Sequence, residues 1–290
     1  MRWFGLLLGA IAASTYGLNP LFAMPIFAEG FSPEATLLMR YLPAVVILGG
    51  WMLCKGISFA LTKREALVVF SGGLLFGCSS LFLYLSYLKM DTGVASTLLF
   101  VYPIMTAVLM MICFHERIRF VTVAALLLSL CGIALLCRKS DGTPVSAIGV
   151  VLAMLSALTY AVYLVMNNMD IIRKMRSEKL TFYVLATGAA LYLVRLACAG
   201  WTFGHFTPKV ALCAVLMALL PTVISLVCVT LAVHYIGATA TAILGALEPL
   251  TAMTVGVLVF HEDFTLRIAA GIILILAAVT LVALRKPAKA

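Results

Sequence analysis

Runs of predominantly apolar residues, each separated from the next by a few polar or charged positions, divide the chain almost end to end. They cover 3–25, 34–54, 65–88, 92–113, 120–137, 146–168, 179–199, 209–234, 238–260 and 266–284. A helix needs about 20 apolar residues to cross a bilayer, and in lipid a span must be helical because an open strand leaves backbone groups unpaired. The pattern predicts an all-α polytopic membrane protein with ten transmembrane helices, and residues 1–290 form a single membrane domain with no room for a soluble one. The opening MRWFGLLLGAIAAS has the form of a signal peptide, with one Arg, an apolar run and Ala10-Ile11-Ala12 as a cleavage site. Because that run continues through Phe22 and the segment recurs later, it is read as the first helix.

The recurrence is an internal repeat. Phe114-His115-Glu116 returns 146 residues on as Phe260-His261-Glu262, and the same offset carries Pro103 onto Pro249. Nearer the N-terminus an offset of 144 places Gly5, Leu8, Thr15, Tyr16 and Glu34 on Gly149, Leu152, Thr159, Tyr160 and Glu178. Residues 1–140 and 141–290 are thus expected to be two five-helix repeats. An odd number of spans in each puts the second in inverted orientation, the architecture in which transporters hold a solute near the midplane between repeats.

Composition agrees: 64% of residues are hydrophobic and 11% charged, too little polar surface for a soluble domain. The net charge of +9 is scattered through short loops rather than clustered with aromatics, so no nucleic-acid partner is expected. With both termini in the cytoplasm that side collects thirteen Lys and Arg, from Arg2 through Lys63 and Lys179 to Lys289, while Lys89, Arg138, Lys139, Lys209 and Arg267 lie outside. The eight cysteines lie in or beside apolar segments and form no CxxC pair, which argues against a disulfide framework or a zinc site.

Tyr102-Pro103 leading to Glu116, Leu247-Glu248-Pro249-Leu250-Thr251 leading to Glu262, and the opening Tyr16-Gly17-Leu18-Asn19-Pro20 together resemble the EamA-type transporters of the drug/metabolite superfamily. Arg40 sits where that family often carries Arg in its second helix, whereas His115 and His261 stand where Gly is usual. The resemblance covers essentially the whole chain. It implies a ten-helix exporter of metabolites or drugs in a bacterial inner (plasma) membrane, with a cavity lined mainly by helices 1, 3, 4, 6, 8 and 9.

Glu248, near the middle of the ninth span, is the leading candidate. A carboxylate at that depth normally faces a cavity or partner and can exchange a proton during transport; the alternative is a static group bonded to backbone beside Pro249. Pro103 and Pro249 kink their helices and cannot donate to the carbonyls of Leu99 and Gly245, which either serve a solute or are satisfied by water and neighbours. Thr241, Gly245 and Glu248 share a face that matches Ala95, Leu99 and Tyr102 in the other half. Tyr16 with Asn19, Tyr160 and Tyr163 with Asn167, and Tyr84 with Tyr87 form polar-tipped aromatic stripes suited to amphipathic solutes; the plainer reading is interfacial anchoring, which fits Tyr87 and Asn167 best. Arg40 and Arg195 are read as snorkelling from span ends.

The function expected is a secondary transporter exporting a small amino acid-like, nucleoside-like or cationic amphipathic solute by alternating access, with possible proton coupling at Glu248. With no Lys or Arg at the centre of a span, a phosphate-bearing solute fits less well. A passive facilitator or channel is the alternative. A membrane-embedded enzyme would need a second catalytic group or metal, and neither is found. No cofactor is implied. Since one chain carries both halves, a monomer suffices and a homodimer is not required.

Overall fold

A side-chain acceptor at a helix start satisfies one of the first free N–H groups, and the chain supplies one at four span entrances. Ser32 accepts from Ala35 N ahead of Pro33, Ser146 accepts from Gly149 N, and Thr207 accepts from Val210 N ahead of Pro208. Thr62 and Glu65 form a reciprocal capping box. The computed structural model describes residues 2–90, 95, 98–115, 120–136, 146–199, 203–251, 254 and 266–284.

Among the described residues the elements are helical. They are α1 (Arg2–Tyr16), α2 (Asn19–Ala28), α3 (Pro33–Cys54), α4 (Lys63–Tyr87), α5 (Tyr102–Phe114), α6 (Phe120–Leu136), α7 (Ala147–Met166) and the short α8 (Asp170–Arg173). They continue with α9 (Ser177–Ala199), α10 (Pro208–Ala218), a π-helical turn (Leu219–Ile224), α11 (Ser225–Ile236), α12 (Ala238–Leu244) and α13 (Leu266–Leu284). Six helices are long and apolar enough to cross a membrane, counting α1–α2 and α10–α11 as one each, and three shorter apolar helices lie in α5, α6 and α13. The protein is a multi-pass helical membrane protein.

Three of the runs expected to be continuous are interrupted. The first turns at residues 17–18 between α1 and α2, the fourth at 100–101 before α5, and the ninth at 245–246 after α12. Under the 146-residue offset the last two breaks fall within one residue of each other. His115 closes α5 in the left-handed region (φ 55°) and donates its N–H to Met110 O, so a residue with a side chain occupies a conformation that glycine favours. His261 and the two glutamates that follow these histidines lie outside the described residues.

The packing repeats with the sequence. α4 lies along α7 as α1 lies along α11; α3 pairs with α9, α5 with α12, and α6 with α13. Exchanging the halves converts each pairing into another or into itself. The same exchange relates hydrogen bonds. Ser79 Oγ donates to Ser156 O (3.0 Å), Ser156 Oγ returns the bond to Ser79 O (2.7 Å), and at the matching positions Ser225 Oγ donates to Ala12 O (2.9 Å). Only the return bond is missing, because Ala12 replaces the second serine. Replacing Ser79 with Ala should therefore lower unfolding free energy in detergent by about 1 kcal/mol. The Ser79→Ala/Ser156→Ala double variant should lose less than the sum of the singles, as denaturant titration would read.

Candidate functional site

The interruptions bring polar groups to one level in the bundle. Helix α1 ends at Tyr16, the chain turns, and Asn19 with Pro20 opens α2. Opposite it, Gly245 and Ala246 break the ninth run, and the chain resumes a helical path over 247–251 with Glu248 at its start. Two glycines allow this approach. A side chain on Gly17 would strike Glu248 O and lie 3.0 Å from Thr251 Cβ, and the Tyr102 hydroxyl occupies the space a Cβ on Gly245 would need.

Glu248 is buried and lines two small cavities. One, of about 10 Å³, is bounded by α1 through Gly9 and Ala12, by Tyr102, Tyr160, Ser225 and Thr241. The other, of about 50 Å³, lies among Tyr16, Asn19, Tyr87, Leu99, Phe100 and Pro249. A cavity needs roughly 10–15 Å³ for one water, so neither admits an organic solute as it stands. A larger concavity, about 770 Å³, is a groove among Ile47, Trp51, Lys55, Glu178 and Ile224, away from these residues.

Each candidate has a definite place. Tyr102 and Tyr160 meet edge to face with ring centroids 4.8 Å apart, joining the two repeats beside Glu248. Tyr84 Oη donates to Asn19 Oδ1 (3.0 Å). Tyr163 packs against Phe76 and has no hydrogen-bond partner for its buried hydroxyl. The Thr241 hydroxyl donates to Gly237 O, leaving its other face to the cavity. Tyr16, Asn19, Tyr102, Tyr160, Thr241 and Glu248 are thus brought together around the two cavities, Tyr84 joins them through Asn19, and Tyr163 lies one layer behind.

Several expectations change. The Gly245 carbonyl does not wait for a solute, because Glu248 N donates to it at 2.8 Å across the tightened turn. Asn167 is buried rather than interfacial. Arg195 pairs with Glu34 at 2.9 Å. Arg40 does not snorkel: it has no exposed surface, donating from Nε to Thr222 Oγ1 (2.6 Å) and from Nη2 to Pro221 O (3.0 Å). Its guanidinium lies 5.2 Å from the Tyr16 ring centroid and 5.6 Å from that of Tyr41, within cation–π range. Thr222 stands midway along the 208–236 helix, so a cation does reach the centre of a span, and the case against an anionic solute fails. Arg40 is the buried cation that linear counting misjudged.

The π-turn explains how Arg40 is held. Pro221 has no N–H to donate, and the Thr222 hydroxyl instead donates to Met217 O at 2.7 Å. Thr222 Oγ1 and the Pro221 carbonyl then accept from the guanidinium.

A model of the EamA-like transporter family matches residues 3–138 and, a second time, residues 147–284. The chain belongs to this family. A crystal structure of another protein covers 97% of this EamA-like chain and 96% of its own at TM-score 0.83 and 19% identity, a likeness of fold. No match to a curated protein is found.

The close approach at Gly17 gives a direct test. Gly17→Ala should cost about 1–3 kcal/mol by forcing α1 away from the Glu248 backbone. Gly50→Ala, in a helix with nothing near its would-be side chain, should be neutral or stabilising by up to about 1 kcal/mol. Unfolding of both variants in detergent would measure the difference.

Proposed function

We propose that this EamA-like chain is a secondary transporter that exports a small organic solute across a bacterial inner membrane by alternating access. Ten transmembrane helices form two inverted repeats of five, over residues 1–140 and 141–290, with both termini in the cytoplasm. The single observation that carries the reading is a central site shared by the two halves: Glu248, at a helix break, shares cavities with Tyr16 and Tyr102 from the first repeat and Tyr160 from the second. Groups from two packed halves meet there, so rocking one half against the other would open the site to either side in turn.

Glu248 also supplies the coupling group. A carboxylate at this depth can exchange a proton with whichever side the site faces, so proton entry drives solute exit. Substrate contact falls to Tyr16, Asn19, Tyr102, Tyr160 and Thr241, with Tyr84 and Tyr163 supporting them from behind. A single chain carries the complete site, and a homodimer is not required for transport. The protein is a carrier, not an enzyme.

Uptake into everted membrane vesicles tests this, using labelled amino acids, nucleosides and cationic dyes with and without a protonophore. The expected result is saturable uptake that collapses with protonophore. Glu248→Gln should lower uphill uptake at least about tenfold while downhill exchange persists. Full uphill transport by that variant would remove Glu248 from coupling, and saturable uptake indifferent to protonophore would identify a facilitator.

A further inference from the structure

Arg40 and Glu248 are buried ionisable groups of opposite type, and neither has an ion-pair partner among the described residues. Among the described residues the ion pairs are Arg176–Glu178 and Arg195–Glu34, so no carboxylate pairs with Arg40 and no cation with Glu248. Arg40 spends Nε and Nη2 on Thr222 and Pro221, but Nη1 is buried without a hydrogen-bond partner. Leaving a guanidinium donor unanswered in a low-dielectric interior is costly. Glu248 and Tyr16 line one cavity, and the guanidinium lies 5.2 Å from the centre of the same Tyr16 ring. The two charges thus flank Tyr16.

Architecture does not require this arrangement. At the matching positions of the other half, Arg40 is replaced by Val184, Thr222 by Phe76, Tyr41 by Leu185 and Ser80 by Leu226, all buried apolar residues. The α3–α9 crossing packs against α4 on one side as it does against the α10–α11 helix on the other, yet only one side carries the cation and its hydroxyl partners. Glu248 is likewise matched by Tyr102. The fold forms the apolar version without difficulty, so the charged version answers to something other than packing. It also polarises a site that symmetry would otherwise make alike from both halves.

We infer that Arg40 is a specificity-determining residue and that the solute is zwitterionic, its carboxylate received by the free Nη1 of Arg40 and its ammonium by Glu248. This deepens, and rests on, the assignment of the central site as the solute site. The tyrosine rings supply apolar walls to the remainder of the solute. A bound carboxylate would complete the hydrogen bonding of Arg40, and an ammonium would neutralise Glu248, so the solute itself removes the desolvation cost of both charges. A purely cationic solute would leave Arg40 uncompensated and add a repulsive neighbour.

The test is binding to the purified full chain, read by thermal stabilisation, with the twenty standard amino acids, each free and as its methyl ester. At least one free amino acid should stabilise the protein, and its ester, lacking the carboxylate charge, should bind at least about 30-fold more weakly. Arg40→Gln should abolish that discrimination. If Arg40→Gln does not fold, Arg40→Lys keeps the charge without the fork and should retain the preference at lower affinity. Equal binding of acid and ester by the native chain, retention of the preference by Arg40→Gln, loss of it in Arg40→Lys, or no stabilisation by any of the twenty would each overturn the assignment. In that last case, saturable vesicle uptake of a nucleoside or cationic dye would leave the transporter reading standing, whereas no uptake at all would remove both.

Discussion

A backbone interrupted inside a bilayer must find its hydrogen bonds within the protein, and this constraint organises the centre of the molecule. The break at 245–246 is tightened until Glu248 N reaches Gly245 O. The π-turn over Leu219–Ile224 is closed by the Thr222 hydroxyl, which then accepts from Arg40. The turn at Gly17 is covered by the backbone of the ninth run itself. The first two interruptions are closed by groups of their own run, and other elements then pack onto them: Arg40 onto the π-turn and the ninth run onto Gly17. Gly17 and Glu248, from two of these interruptions, line one of the cavities together.

Duplication sets the frame on which this centre is built. The paired helices and the serine hydrogen bonds repeat under exchange of halves, and small residues at the crossings let backbones approach. Gly77 and Gly188 face each other where α4 and α9 cross, and the Tyr41 ring fills the space beside Gly188. Function appears where the halves differ. Glu248 opposite Tyr102, and Arg40 opposite Val184, give a symmetric scaffold an asymmetric interior.

Much of this was legible in the linear pattern. The runs, the offset of about half the chain and the matched prolines led to the helical membrane architecture and to Glu248, Tyr102, Tyr16 and Tyr160 as neighbours. Those residues are identifiable because a repeat shows which positions face each other across the pseudo-twofold. Arg40 was not, for a physical reason: counted along α3 it lies close to the span's start, and only the bulged helix beside it shows that its long side chain runs inward to Thr222. A π-turn has no reliable sequence signature, since Pro221 predicts a local disturbance but not its hydrogen bonds. The breaks at 100–101 and 245–246 were foreshadowed by Pro103 and Pro249, while the compensation of Gly245 O by Glu248 N depended on how tightly the turn closes.

The central claim is that the cavity beside Glu248 is the path of the solute and opens to each side in turn. Thr241→Cys in a cysteine-free background tests it most directly, with a membrane-impermeant maleimide applied from one face of the membrane or the other. Alternating access predicts labelling from both faces and protection by a transported solute. A position 241 that never reacts from either face, in protein still active for transport, would contradict it.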